Sequence, residues 1–397
     1  MKKMIGAAVR LVVFLLLGCC MLWSSAATSE AAWQPELLVG LMNGQSSVTL
    51  KANSPAVLQT SKPASILEKL PAGAALTIAL NAGHLSANGR EVRLTAGQEL
   101  ELVVPDARNL ASQITTVNGR SYRGAIRLQL RNGGLTIVNR VPVEEYLRGV
   151  VPEEMPSDWN KEALKAQAVA ARTFALRHRQ RHSKDGYDLC ATTHCQQYSG
   201  IGAERTAASQ AVDVTRGETL LYNGQPIEAL FHTDSGGMTE NSEDVWGSRI
   251  PYLRAAREVY ANTQPWDKNI TAADFCTLLA KHGKSLGTLK TITLSPLTDE
   301  RNAPDRTVSG RVRMVRLEGT NGTLQVSGND LRSWLGLRST MFQMTMRNDV
   351  VFITGYGWGH GLGLSQWGAK AFADARHMSY PDILAHYYAG TVLKKLY

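Results

Sequence analysis

The chain has 397 residues, enough for two or three domains and a sizeable core. Hydrophobic residues make up 44% and charged residues 19%, which excludes a disordered or highly charged tail protein. With 43 Lys+Arg against 34 Asp+Glu the net charge is +9, which favours anionic partners such as an acidic wall or a membrane surface. No compact Lys/Arg run with interleaved aromatics accompanies that charge, so nucleic acid is not expected as a partner.

Lys2, Lys3 and Arg10 lead into the apolar stretch Leu11 to Trp23 and then the small residues Ser24 to Ala27, the order of an export signal. Three readings of residues 1–27 stay open: cleavage after Ala27 or Ala31, a lipid on Cys19, or retention as a membrane anchor. Each places the working protein outside the cytoplasm, in the wall or on the membrane. Those three basic residues are the segment's whole charge, so the remainder keeps 40 basic and 34 acidic residues, or +6. After residue 30 no apolar run reaches the roughly 20 residues a bilayer span needs, which excludes a polytopic membrane protein. Three cysteines remain in that part, Cys190, Cys195 and Cys276, too few for a disulfide scaffold.

Residues 33–110 read as a β-rich N-terminal domain. Short strands are expected at Leu76–Leu80, Glu91–Leu94 and Glu99–Val103, with a hairpin turn at Asn88-Gly89. A second domain spans 115–397. It opens with strands Ala125–Leu130 and Leu135–Val138 around Asn132-Gly133-Gly134. Helix is expected first after Trp159, capped by Asn160, with Ala163, Ala166, Val169, Ala170, Thr173 and Phe174 on one face. A loop over 185–202, a helix near 203–212 and a hairpin around Asn321-Gly322 follow. A short helix at Asn329–Leu335 and two C-terminal helices, from Trp367 and Pro381, complete an α+β fold rich in antiparallel strand pairs.

Four motifs carry candidate chemistry. In Val150-Val-Pro-Glu-Glu-Met-Pro156 a carboxylate lies beside Met, Pro and Trp159; desolvation raises its pKa and suits a general acid, while a helix N-terminus lowers it. The alternating glycines of Gly355-Tyr-Gly-Trp-Gly-His-Gly-Leu-Gly363 fit no dinucleotide or P-loop pattern. They suggest an extended backbone for a flat ligand or a tightly packed strand. His194 with Thr233-Asp-Ser-Gly-Gly237 imitates a serine protease, but only 40 residues separate His194 from Ser235, too few for the barrel between those groups. His182, Cys190, His194 and Cys195 fall within fourteen residues. Zinc, a Cys190–Cys195 disulfide and free thiols carry equal weight there, because neighbours such as His194 and Cys195 diverge on a strand.

Together the motifs resemble the SpoIID/LytB family. The likeness runs through Val141-Pro-Val-Glu-Glu-Tyr-Leu-Arg-Gly-Val-Val-Pro-Glu-Glu-Met-Pro156 and Glu162-Ala-Leu-Lys-Ala-Gln-Ala-Val-Ala-Ala-Arg-Thr173. It continues through Asp188-Leu-Cys-Ala-Thr-Thr-His-Cys195, Phe231-His-Thr-Asp-Ser-Gly-Gly-Met-Thr-Glu240, Gly359-His-Gly-Leu-Gly-Leu-Ser-Gln-Trp-Gly-Ala369 and His386-Tyr-Tyr-Ala-Gly390. The resemblance implies a peptidoglycan lytic transglycosylase active in sporulation engulfment, at the septal or forespore membrane, beside an N-acetylmuramoyl-L-alanine amidase. Its other branch implies a non-catalytic amidase enhancer. It implies Glu154 as the catalytic acid and a structural zinc on Cys190, His194, Cys195 and His182, and Glu153 is expected to face outward. Arg172, Tyr198, His232, Ser235, Trp246, His360 and Gln366 are the expected glycan contacts. Glu144 and Glu145 would supply a second acid if the chemistry were hydrolysis.

Overall fold

The computed structural model describes residues 33–95, 97–105, 113–258, 264–298 and 303–397, so the readings of residues 1–27 lie outside it. Strands form where apolar residues alternate with polar ones. Ser47–Ala52 buries Val48, Leu50 and Ala52 and exposes the residues between them. Asn88 and Gly89 take φ values of 48° and 79°, and Asn132 and Gly133 take 50° and 76°, the left-handed geometry that two-residue hairpin turns require. The strand expected over Glu91–Leu94 stops at Glu91.

Two sheets build the first half of the molecule. The larger runs, in spatial order, Leu189–Cys190, Glu36–Gln45, Gly134–Pro142, Ala125–Arg131, Leu100–Val103, Ala56–Thr60 and Ser65–Leu70. The smaller runs Arg120–Arg123, Ile114–Val117, Ser47–Ala52, Ala75–Asn81, His84–Ala87 and Arg90–Glu91. Val48, Leu50, Leu76 and Ile78 from one and Leu58, Leu102, Ile126, Leu128 and Ile137 from the other share one core. The division placed near residue 110 therefore cuts through both sheets. Residues 34–397 form one compact unit, because strands on either side of 106–112 are hydrogen-bonded together.

Helix begins earlier than the sequence suggests, in the short segments Val143–Arg148 and Val151–Glu154. The Ala-rich helix Lys161–Arg177 starts as expected, with the Asn160 side chain accepting the Glu162 N–H. Its burial is not confined to one face: every residue from Ala166 to Ala175 is buried. Ala168, Ala171 and Phe174 pack on the sheet core, while Ala163, Ala166, Val169 and Ala170 pack on a second core built from Leu364, Phe372, Ile383 and Leu384. A helix pressed from two sides needs small residues all round, which accounts for the alanines.

A further lobe over Trp266–Gly355 went unrecognised in the sequence. It joins the sheet Trp266–Thr271, Val350–Gly355 and Phe342–Arg347 to the sheet Leu289–Thr293, Met314–Gly319 and Gly322–Ser327. Helices Ala272–Lys281 and Gly328–Leu335 are capped by Thr271 and Ser327. Phe275, Leu317, Leu331, Phe342 and Ile353 form its own core. Among the described residues no helix is long and apolar enough to cross a membrane.

Candidate functional site

The Gly-rich stretch folds neither as an extended ligand platform nor as a packed strand. Gly357, Gly359, Gly361 and Gly363 all have positive φ, from 68° to 119°. The loop presses on the segment 230–237. A Cβ at Gly359 would lie 2.6 Å from the His232 Cβ, and one at Gly363 would lie 2.1 Å from the Leu230 carbonyl oxygen. Glycine is needed there for close approach as well as for φ. The packing sets the rings of His232 and His360 5.3 Å apart and directs Trp358 outward, about half exposed.

Beside this loop lies a hollow of about 440 Å³, within the range of ligand sites. Its lining brings together Glu154, His194, Cys195, His232, Trp246, His360 and Gln366 from distant parts of the sequence. Phe174, Arg181, Thr233, Arg332 and Trp358 join them without having been expected. Trp358 had a visible signal, an aromatic among glycines. Arg332 lay in the family-like run Leu331–Thr340 but was not singled out, since only the lobe's fold carries it to the cleft.

Glu154 ends the short helix Val151–Glu154, whose Val151 is fully buried along with the following Met155. That anchoring turns Glu153 out to solvent and Glu154 inward. Burial pushes the Glu154 carboxyl above its ordinary value. The Gln197 N–H, 3.2 Å from Oε1, and the Gln366 side chain pull the other way without overcoming it. Desolvation thus outweighs the hydrogen bonds, the direction that suits a general acid. His232 is held neutral by burial, its Nδ1 3.1 Å from the Leu362 carbonyl oxygen. A carbonyl only accepts, so Nδ1 carries the proton and Nε2 is left as a buried acceptor with no partner.

His182, Cys190, His194 and Cys195 bring one ligand atom each within 4.8 Å of one another. Cys190 Sγ lies 3.6 Å from His194 Nδ1, and Cys195 Sγ lies 3.4 Å from His182 Nε2 and 3.7 Å from His194 Nδ1. A tetrahedral zinc, with Zn–S near 2.3 Å and Zn–N near 2.0 Å, separates its sulfur and nitrogen ligands by about 3.5 Å. The donor set fits. Residues 191–195 form bends and turns instead of a strand, which lets adjacent His194 and Cys195 converge. His182 Nδ1 meets Asp185 Oδ2 at 3.0 Å, the outer contact that orients a ligating imidazole. No disulfide joins Cys190 and Cys195. Two residues beyond Cys195, Gln197 supplies the N–H on Glu154, so the cluster and the acid share one short loop.

Three expected contacts lie in the interior instead. Arg172 is fully buried, with Nε and Nη2 2.8 and 2.7 Å from the two oxygens of Glu144. Against the cost of burial, the Arg172 charge and its hydrogen bonds, joined by those from Tyr397 Oη and the Gly217 N–H, hold the Glu144 carboxyl below its ordinary value. Tyr198 donates to Asn139 Oδ1 at 2.9 Å and packs against Tyr122 and Tyr146. Ser235 is fully buried and donates to Glu258 Oε2 at 2.7 Å. Each polar group satisfies another buried polar group, so none is offered to a ligand. The serine-protease likeness dissolves with them: His194 sits among the cysteines and Ser235 faces a carboxylate. Glu145 pairs with Arg123 and Arg148, so neither acid considered for a second catalytic role lines the cleft.

The sequence has counterparts among known proteins. A family model described as Stage II sporulation protein matches residues 131–222, and a domain of unknown function, DUF8618, matches residues 254–363, much of the further lobe. Stage II sporulation protein D of Bacillus subtilis is 34% identical over 65% of this chain and 76% of its own length. Its namesake from Bacillus amyloliquefaciens is 35% identical over 64% and 74%. An amidase enhancer of Bacillus subtilis is 29% identical over 81% of this chain and 50% of its own length. The chain belongs to the stage II sporulation protein D family.

Proposed function

We propose that this chain is an exported peptidoglycan lytic transglycosylase that opens the MurNAc–GlcNAc linkage in wall remodelling and leaves a 1,6-anhydro product. The observation that carries the reading is the acid content of the cleft. Glu154 is the single carboxylate lining it among the described residues, and burial raises its pKa. A glycoside hydrolase ordinarily needs two carboxyl groups across the bond. A lytic transglycosylase needs one. Protonated Glu154 gives its proton to the glycosidic oxygen as the C1–O bond breaks. The resulting carboxylate takes the proton from the muramoyl C6 hydroxyl, whose oxygen closes on C1, and the acid is regenerated without water. Neutral His232 and the partly exposed rings of Trp246 and Trp358 suit sugar hydroxyls and sugar faces.

Zinc on Cys190, His194, Cys195 and His182 would be structural, since four protein ligands close its coordination. A role in sporulation and a partner amidase are supported by the names of the relatives, and the wall substrate by the family resemblance. A second reading, a wall-binding factor that stimulates an amidase, is favoured by the amidase enhancer's match across 81% of the chain. Mass spectrometry of purified glycan strands after incubation separates the two. Anhydro-ended fragments are expected; unchanged strands together with stimulated amidase activity would replace the enzyme reading with the enhancer.

A further inference from the structure

We propose that the lobe Trp266–Gly355 is part of the substrate-binding apparatus, and that its helix Gly328–Leu335, with Trp246, builds a second saccharide subsite in which Arg332 pairs with a carboxylate carried by the glycan's muramoyl residue. This inference rests on the glycan reading above. A second hollow, of about 510 Å³, is walled by Val245, Trp246, Asn329, Arg332, Ser333 and Leu337. It shares Trp246, Arg332 and His360 with the hollow that holds Glu154, so the two are contiguous. One site volume suits a few sugar rings, and a polymer threading the first hollow has the second as its continuation.

The lining has saccharide chemistry. Trp246 is about half exposed and offers a flat apolar face. Asn329, Arg332 and Ser333 stand at i, i+3 and i+4 on one helix face, which aligns two exposed neutral hydrogen-bonding groups with one cation. The Trp246 helix is tied to the lobe by Arg313 Nη2 and Asp244 Oδ1, 2.7 Å apart, so both walls of the hollow are held in register.

Arg332 gives the site its selectivity. Its guanidinium is half-buried and no acidic side chain among the described residues offsets the loss of hydration, which alone lowers its pKa. Its charged neighbour Arg311 has the same sign, and burial keeps His232 and His360 neutral. A partly desolvated cation without a counter-charge is costly, and an anionic ligand group offsets that cost. Neutral hexosamine units carry no such group. Muramoyl units do, either as the free lactyl carboxylate or on an attached peptide.

Binding is measured by titration calorimetry on Glu154→Gln protein, so that turnover does not intervene. A peptide-free MurNAc–GlcNAc hexasaccharide is expected to bind about tenfold tighter than a neutral GlcNAc hexasaccharide, the worth of one charge-assisted pair. Adding Arg332→Gln should erase that ratio, Arg332→Lys should restore part of it, and Trp246→Ala should weaken both ligands together. Because Arg332 pairs with no acidic side chain among the described residues, its variants should melt with the parent. A peptide-bearing hexasaccharide, whose lactyl group is an amide, shows by keeping the Arg332-dependent gain that a peptide carboxylate also fills the site, and by losing it that the lactyl carboxylate alone does. Equal affinity for the two peptide-free ligands, or a ratio unmoved by Arg332→Gln, overturns the subsite and leaves the glycan reading standing. Failure of every saccharide to bind overturns both.

Discussion

Glu153 and Glu154 are chemically alike, and two anchored neighbours, Val151 and Met155, decide which one enters the cleft. Glu154→Gln should abolish anhydro-product formation while the protein melts normally, because an amide keeps the shape but cannot cycle a proton. Since the acid must start protonated and burial raises its pKa, activity should fall as pH rises through a value above the free carboxylate's ~4.3. A pH–rate profile whose alkaline limb lies at or below that value would contradict the assignment. Arg172 belongs to the interior: Arg172→Ala strands buried Glu144 without its counter-charge and should cost about 3–5 kcal/mol of stability in denaturant titration. A variant as stable as the parent but weak in glycan affinity would return Arg172 to the cleft. Glu258, held by Ser235 and Tyr387, is pushed by burial up to about 7 from 4.5. Its folded form prefers the proton, so this contribution to stability is complete below about pH 4.5 and is lost as pH rises through about 7. The wild-type Tm should therefore fall between pH 5 and 8, and Glu258→Gln should flatten that slope; an unchanged slope would refute the role. Ser235 was expected as a glycan contact because its partner Glu258, 23 positions away, had no signal in the sequence.

Short elements govern the site more than long ones do. The loop from Cys190 to Tyr198 holds three of the four candidate metal ligands, the Gln197 N–H on Glu154 and two interior anchors. Gln196 is one, accepting from Tyr146 Oη at 3.1 Å, and Tyr198 is the other. About one zinc per chain is expected by elemental analysis, and its removal by a chelator should lower Tm and, through Gln197, weaken catalysis as well. Fully active, metal-free protein of undiminished Tm would rule out a structural metal. Hairpins were the most legible elements, because Asn-Gly pairs announce their own φ values. The helices Val143–Arg148 and Val151–Glu154 were not, being too short to show a period. The glycine loop misled for a different reason. Alternation at every second position has the period of a strand, yet the chain uses it for repeated close approaches to 230–237, which only the fold reveals.

Across the whole molecule the α+β class was readable, because hydrophobic period and turn chemistry are local. The sheets joining residues on both sides of 106–112 and the separate core of the further lobe were not, because both depend on pairings far apart in sequence. The +6 charge outside residues 1–27 is likewise a property of the whole. Association with an anionic wall should weaken steadily as salt rises, while cleavage inside the partly desolvated cleft should respond less. Sedimentation with purified walls across a salt series checks this, and salt-independent binding would remove charge from the account. The strand Glu36–Gln45 has one more consequence. It pairs with Gly134–Pro142 on one side and Leu189–Cys190 on the other, partners that follow it by about 100 and 150 residues. During synthesis or passage across a membrane this strand emerges early, with both hydrogen-bonding edges empty until those partners arrive. High sequence separation slows closure, so this sheet is completed late, and Cys190 joins His182, His194 and Cys195 only when the last strand of that sheet has docked.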